Sequence, residues 1–266
     1  MQYELGFIGA GNMAEAIARA AIEQGVLEPR AIIAADPSQA RRKVFEALGI
    51  TVVDDAGEVA ASAREVMIAV KPQVLEKIEP ALQQVNREAQ VLISIMAGVR
   101  CERIEQVAGG AARVIRVMPN TPVMVGVGMA AVAAGRHARS GDEALTVRLF
   151  EAAGRAVRMD EAAMDAVTAV SGSGPAYLFY LAEAMEQAAV RMGLERDARL
   201  LIGQTLLGAA TLLMQGESSA AELRQRVTSP GGTTEAALAR LDARDVVNSV
   251  IEAMEAARDR SVELGR

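Results

Sequence analysis

Through the first 160 residues, apolar runs of about four or five positions alternate with stretches of helical period. Leu5-Gly6-Phe7-Ile8 leads into Gly9-Ala10-Gly11-Asn12-Met13-Ala14, after which Met13, Ile17, Ala20 and Ala21 share one helical face that Gly25 ends. A strand from Ala31 to Ala35 follows, and Asp36 closes it. The pattern then predicts a helix around Ser38 to Leu48 and a strand from Ile50 to Val53. Val66 to Val70 is an unbroken apolar run, as expected of a parallel strand covered on both faces, and Lys71-Pro72 stops it. A helix from Val74 to Val85, a strand from Val91 to Ile95, a helix from Cys101 and a strand from Val114 to Val117 continue the alternation. Such a series describes an open, doubly wound α/β sheet.

Met118-Pro119-Asn120-Thr121-Pro122 reads as a rigid turn, followed by a glycine-punctuated strand from Gly126 to Ala133, a helix from Asp142 to Ala153 and a short strand from Arg155 to Met159. Beyond Asp160 the period is helical. Pro175 suits a first turn, and Leu178, Leu181, Met185, Ala188 and Met192 form a stripe that Gly193 terminates. A helix spans Ala198 to Gln215, and Ser219-Ala220-Ala221-Glu222 has capping-box spacing. Val247, Val250, Ile251, Met254, Ala257 and Val262 mark a long terminal helix. Two domains are expected, a Rossmann-type sheet over 1–160 and an all-helical oligomerisation domain over 161–266. The helical part is too apolar to bury every face alone and is expected to pair with a second copy.

The glycine stretch carries specific physics. Gly9 permits a tight turn, Gly11 lets backbone approach a pyrophosphate, and Ala14 lets the helix lie against the strand. The helix N-terminus offers free N–H groups and a positive dipole end to an anion. Asp36, 22 positions after Ala14, stands where a ribose hydroxyl is read. A purely structural turn needs none of this context. The ligand is expected at the carboxyl ends of the strands, where Gly9, Asp36, Lys71 and Ala97-Gly98 fall.

Composition narrows the picture further. The 266 residues are 51% hydrophobic with 3% aromatics and no tryptophan, so the core is built from Ala, Val, Leu, Ile and Met. A net charge of −6 gives no general attraction to nucleic acid or to an anionic membrane. Cys101 is the single cysteine and His137 the single histidine, which excludes an intrachain disulfide and the usual Cys/His zinc frameworks. A reducing, cytoplasmic setting is expected. The apolar segment from Leu200 to Met214 is short and polar-interrupted for a membrane span and reads as a buried helix.

The polar turn Thr228-Ser229-Pro230-Gly231-Gly232-Thr233-Thr234 opens into a helix. Backbone N–H groups and hydroxyls gathered there suit a carboxylate, and the same residues also suit an ordinary helix start. Ser171-Gly172-Ser173-Gly174-Pro175 is a second small-residue turn, fit for close packing at a domain junction or for approach to a ligand.

Taken in order, Gly6 to Ala14, Ala69-Val70-Lys71-Pro72, Arg116 to Pro122, Ala166-Val167-Thr168, Ser171 to Tyr177 and Thr228 to Thr234 resemble the pyrroline-5-carboxylate reductase family over essentially the whole chain. The resemblance implies hydride transfer from NADH or NADPH to C5 of the cyclic imine L-1-pyrroline-5-carboxylate, giving L-proline, with no metal. It implies that Ser229, Gly231, Gly232, Thr233 and Thr234 bind the substrate carboxylate, with the Thr234 hydroxyl acting catalytically on the ring nitrogen. Glu161 and Glu217 match positions near bound product in the family; the alternative for both is surface solvation. Cofactor contacts are implied for Ile8, Gly9, Ala10, Gly11, Asn12 and Met13, for Asp36 and Pro37, and for Ala69, Val70, Lys71, Pro72 and Ala97. The family commonly forms dimers that assemble further.

Two positions depart from that family's pattern. Asp36-Pro37 stands where many members have Ser-Pro, and a carboxylate there repels a 2′-phosphate while accepting from ribose hydroxyls, although Arg41, Arg42 and Lys43 are close in sequence. Met96 stands where alanine is usual, and either crowds the cofactor pocket or fills core. The competing functions are another imine or β-hydroxyacid oxidoreductase and a non-catalytic dinucleotide sensor. The hydroxyacid enzymes generally use a lysine of the helical domain as acid or base, and no lysine follows Lys77 here.

Overall fold

Unbroken apolar runs become the central strands of one sheet in the computed structural model, which describes residues 1–265. The strands are β1 (Tyr3–Ile8), β2 (Ile32–Ala35), β3 (Thr51–Val53), β4 (Ala63–Ile68), β5 (Val91–Ser94), β6 (Arg113–Pro119), β7 (Gly128–Ala134) and β8 (Gly154–Arg158). Their order is β3-β2-β1-β4-β5-β6-β7-β8, and only β6 and β7 run antiparallel to each other. The order reverses between β1 and β4, where a doubly wound sheet opens its crevice.

Register fixes what lies at that crevice. Ile8 pairs with Ala35 on one side and Ile68 on the other, and Ile68 with Ser94, so the strands end level. The next residues, Gly9, Asp36 and Ala69, therefore leave the sheet along one edge.

Helices α1 (Asn12–Glu23), α2 (Gln39–Glu46), α3 (Ala56–Ser62), α4 (Leu75–Leu82), α5 (Cys101–Val107) and α6 (Ala144–Ala152) cover both faces. One layer gathers Leu5, Phe7, Ile17, Phe45, Ile93 and Phe150; the other gathers Ile8, Val66, Ile68, Leu92, Ile104 and Val114. The alternation of Phe7 and Ile8 between layers is the strand period of two. Met96 belongs to the second layer at 2% exposure, so it fills core.

Helix α3 is absent from the sequence-based pattern. Its seven residues, Ala-Gly-Glu-Val-Ala-Ala-Ser, are too short to display a stripe, and it is held by Asp55, whose Oδ1 accepts the Gly57 N–H at 2.8 Å. It presses Val59 onto Gly6 of β1, where a side chain would collide.

After β8 come α7 (Met164–Val167), a π-helical turn (Thr168–Gly172), α8 (Gly174–Arg191), α9 (Ala198–Gln215), α10 (Ala220–Arg226), α11 (Thr233–Asp242) and α12 (Val246–Leu264). Both halves of the capping box at Ser219 and Glu222 form. The chain makes two compact units, one of residues 1–173 joined by the segment from Ala257 onward, the other of Gly174–Ala256. The expected division after residue 160 lies ahead of this boundary, because Met164 is buried with Ala131 and Ala133 of β7. Inside the second unit, α8 and α9 bury only Ala189, Ala198 and Ile202, while Phe179 (70%), Leu200 (72%) and Leu207 (61%) stay exposed.

Candidate active site

The turn between β1 and α1 is shaped for a ligand that approaches backbone. Gly9 has φ +98°, its N–H donates to the Ala35 carbonyl at 2.8 Å, and a Cβ there would lie 2.9 Å from both the Ala69 carbonyl oxygen and Val70 Cγ1. Gly11 is different: nothing of the protein lies within 4 Å of a Cβ built on it. The protein's own packing does not require glycine at position 11; an approaching diphosphate would. Gly11 is the N-cap of α1, and no side chain caps it, so the first-turn N–H groups remain available to an anion. Ile8 and Ala10 are buried behind this turn, Met13 is half-buried and Asn12 is exposed.

Asp36 closes the site from β2. Its Oδ2 accepts the Ala10 N–H and its Oδ1 the Ser38 N–H, each at 2.8 Å, which fixes the carboxylate beside the glycine turn with Pro37 exposed next to it. Arg41 reaches back from α2: its Nε donates to the Ala10 carbonyl at 2.5 Å and its Nη2 to Glu15 at 2.8 Å. Burial pushes the Glu15 carboxyl up, but hydrogen bonds from Arg41 and Arg19 outweigh it and hold the group below its ordinary range. Arg42 donates to the carbonyls of Asp36 and Pro37. Sequence reading names Arg41 but not its partner Glu15, whose signal is only an acidic residue in a first turn.

Ala69 and Val70 leave β4 beside Gly9, both half-buried, and Lys71 is exposed at the start of the turn Pro72–Val74. Ala97, half-buried, lies in the loop that follows β5. The parallel sheet thus brings all the residues expected for the cofactor to one edge.

Beneath that edge lies a polar cluster that sequence reading does not assemble. Arg116 of β6, 3% exposed, places Nη1 3.4 Å from Glu161 Oε1 and Nη2 3.4 Å from Asp165 Oδ1. The same Glu161 oxygen accepts the Cys101 N–H at 2.7 Å. Glu161 is therefore engaged by its own chain rather than merely solvated. Burial, then the neighbouring Glu161 charge, push the Cys101 thiol far up, so it stays protonated and unreactive. The available signal was a charged residue inside the apolar strand Val114-Ile115-Arg116-Val117.

In the helical unit, α11 begins at Thr233, inside the polar turn itself. Gly231 has φ +69°, and its N–H donates to Glu235 Oε2 at 2.7 Å. Gly232, the N-cap, donates its N–H to the Ser229 carbonyl at 2.9 Å and carries no side-chain cap. Thr234 is half-buried in the first turn, with Ser229 and Thr233 exposed beside it. This turn already holds one carboxylate, that of Glu235, on a backbone N–H. Glu217 is exposed between α9 and α10. Among the described residues no three of His, Cys, Asp and Glu gather as a metal site, and no helix is long and apolar enough to cross a membrane.

Known proteins resemble this chain in sequence and in fold. Residues 161–264 match the family model described as pyrroline-5-carboxylate reductase dimerisation, and residues 4–98 match one described as NADP oxidoreductase coenzyme F420-dependent. The pyrroline-5-carboxylate reductase of Synechocystis sp. is 42% identical, with all of both chains covered. A solved pyrroline-5-carboxylate reductase from Coxiella burnetii has TM-score 0.88 at 35% identity, and the NADP-bound pyrroline carboxylate reductase of Plasmodium falciparum has TM-score 0.88 at 27%, each with full coverage of both chains. The glycine turn, the sheet order and these full-length matches agree, and the chain belongs to the pyrroline-5-carboxylate reductase family.

Proposed function

We propose that this chain transfers a hydride from nicotinamide C4 of NADH or NADPH to C5 of L-1-pyrroline-5-carboxylate, giving L-proline, the last step of proline biosynthesis. An iminium carbon is already electrophilic, so the protein's task is to hold the ring against the hydride donor and to secure its carboxylate. The observation that carries the reading is the uncapped first turn of α11, where backbone N–H groups and the Thr234 hydroxyl lie together in a chain of this family. Ser229, Gly231, Gly232 and Thr233 hold the carboxylate, which takes the place of the Glu235 carboxylate on the Gly231 N–H. Thr234 donates to or accepts from the ring nitrogen and relays its proton, while Glu217, and Glu161 through its Oε2, approach the product. The absence of lysine beyond Lys77 disfavours a hydroxyacid dehydrogenase.

Thr234→Ala is expected to lower kcat by about 10²-fold, the scale of a lost proton-transfer group, with NADH affinity retained. Full activity of that variant would remove Thr234 from the mechanism. Loss of NADH absorbance on adding the imine separates an enzyme from a dinucleotide sensor, which would give no change at saturation.

On the cofactor side, Asp36 faces the place where a 2′-phosphate would stand. The guanidinium groups of Arg41 and Arg42 are already committed to Ala10, Glu15, Asp36 and Pro37. NADH is therefore used at least as readily as NADPH. The measurement is kcat/KM for each cofactor, and a preference for NADPH of about tenfold or more, some 1.4 kcal/mol, would overturn this.

The functional division follows residues 1–160 for the dinucleotide and 161–266 for substrate and dimerisation. The helical part forms a homodimer that assembles further, and the protein works in the cytoplasm, supported by a single buried thiol.

A further inference from the structure

The last turn of the chain groups with the sheet unit, not with the helices that precede it. Ser261 is 3% exposed, and its Oγ donates to Asp165 Oδ1 at 2.8 Å. That carboxylate faces Arg116, which faces Glu161, which in turn accepts the N–H of Cys101. A polar chain thus runs from the carboxyl-terminal turn to the first residue of α5, where the loop after β5 ends. The same loop is met a second time at its centre. Gly98 has φ +77°, and a Cβ there would lie 2.9 Å from Leu264 Cβ and 3.1 Å from the Ser261 carbonyl oxygen. A Cβ on Gly265 would strike the Gly98 carbonyl oxygen, so backbone rests on backbone. Leu264 and Gly265 also line an open recess with Pro72, Gln73 and Val99.

The Arg116 guanidinium needs its two carboxylates, since an unpaired buried charge is costly. It does not need Ser261. What the Ser261 hydroxyl adds is a seat for the end of the chain.

We propose that the turn Ser261–Gly265 is a positioning element for the nicotinamide side of the cofactor cleft. Seated on Asp165, it holds the loop that carries Ala97 at the distance a nicotinamide ring requires. The inference rests on the reading that Ala97 and Lys71-Pro72 lie along that half of the cofactor.

The test compares NADH with ADP-ribose, which lacks the nicotinamide, by direct binding without the imine: NADH by its fluorescence and ADP-ribose by displacing it. A chain ending at Arg260 is expected to bind NADH about five- to tenfold more weakly and ADP-ribose unchanged, with smaller shifts in the same direction for Ser261→Ala and Leu264→Gly, the latter removing the Cβ that meets Gly98. Unchanged NADH affinity in the point variants, or equal loss for both ligands, would overturn the proposal. If the shortened chain fails to fold, the two point variants decide alone. A full-length chain that binds neither ligand would overturn the cofactor reading itself, and the proposal with it.

Discussion

A few single residues carry costs that stability measurements can expose. Glu65, near the start of β4, is half-buried; burial pushes its carboxyl up to about 7, and its Oε2 has no hydrogen-bond partner. The folded pKa is raised above the unfolded one, so folding takes up a proton. Stability is greatest below the ordinary carboxylate range and is lost as pH rises through about 7. Glu65→Gln is expected to raise stability at pH 8 by about 2 kcal/mol and to flatten its dependence between pH 5 and 8, as read by denaturant titration. At this scale sequence was informative where a residue's reason is local. Gly9 and Asp36 sit at their expected places, whereas Met96 could be read two ways until its burial in the core decided. The pairing of Arg116 was not visible, because its partners Glu161 and Asp165 are 45 and 49 positions away on later elements.

Elements repeat the contrast. The inner strands follow from apolar runs, since burial on both faces writes itself into consecutive residues, whereas β8, Gly-Arg-Ala-Val-Arg, is partly exposed along its length. The short α3 does not, because what makes it a helix is the Asp55 cap and the space that Gly6 leaves for Val59. The π-helical turn at Thr168–Gly172 was likewise hidden. It is tied by Asn120, whose Nδ2 donates to the Ser171 carbonyl and hydroxyl oxygens at 3.3 Å, while Oδ1 accepts the Met129 N–H at 2.9 Å. Asn120→Ala removes these bonds and leaves half-buried groups unpaired. It is expected to cost about 1–3 kcal/mol in chemical unfolding, and an unchanged midpoint would mean that water replaces the amide.

For the whole molecule, the helical unit buries too little of itself to stand alone, and its family relationship is to a dimerisation region. Leu207→Glu, on the exposed face of α9, is expected to shift the protein to a smaller species in light scattering, and an unchanged mass would place the interface elsewhere. Sequence by itself determined the alternating sheet, the glycine turn with its acid, the capping box of α10 and the family, because each is written in neighbouring residues or fixed spacings. Only the tertiary structure decided that residues 161–173 and the final turn join the sheet unit, that Arg41 is held by Glu15, and that Ser261 seats the chain's end on Asp165. Such pairings depend on which distant segments share a buried space. A buried charge or hydroxyl takes whatever partner the fold brings within reach, and no local pattern records which one that is.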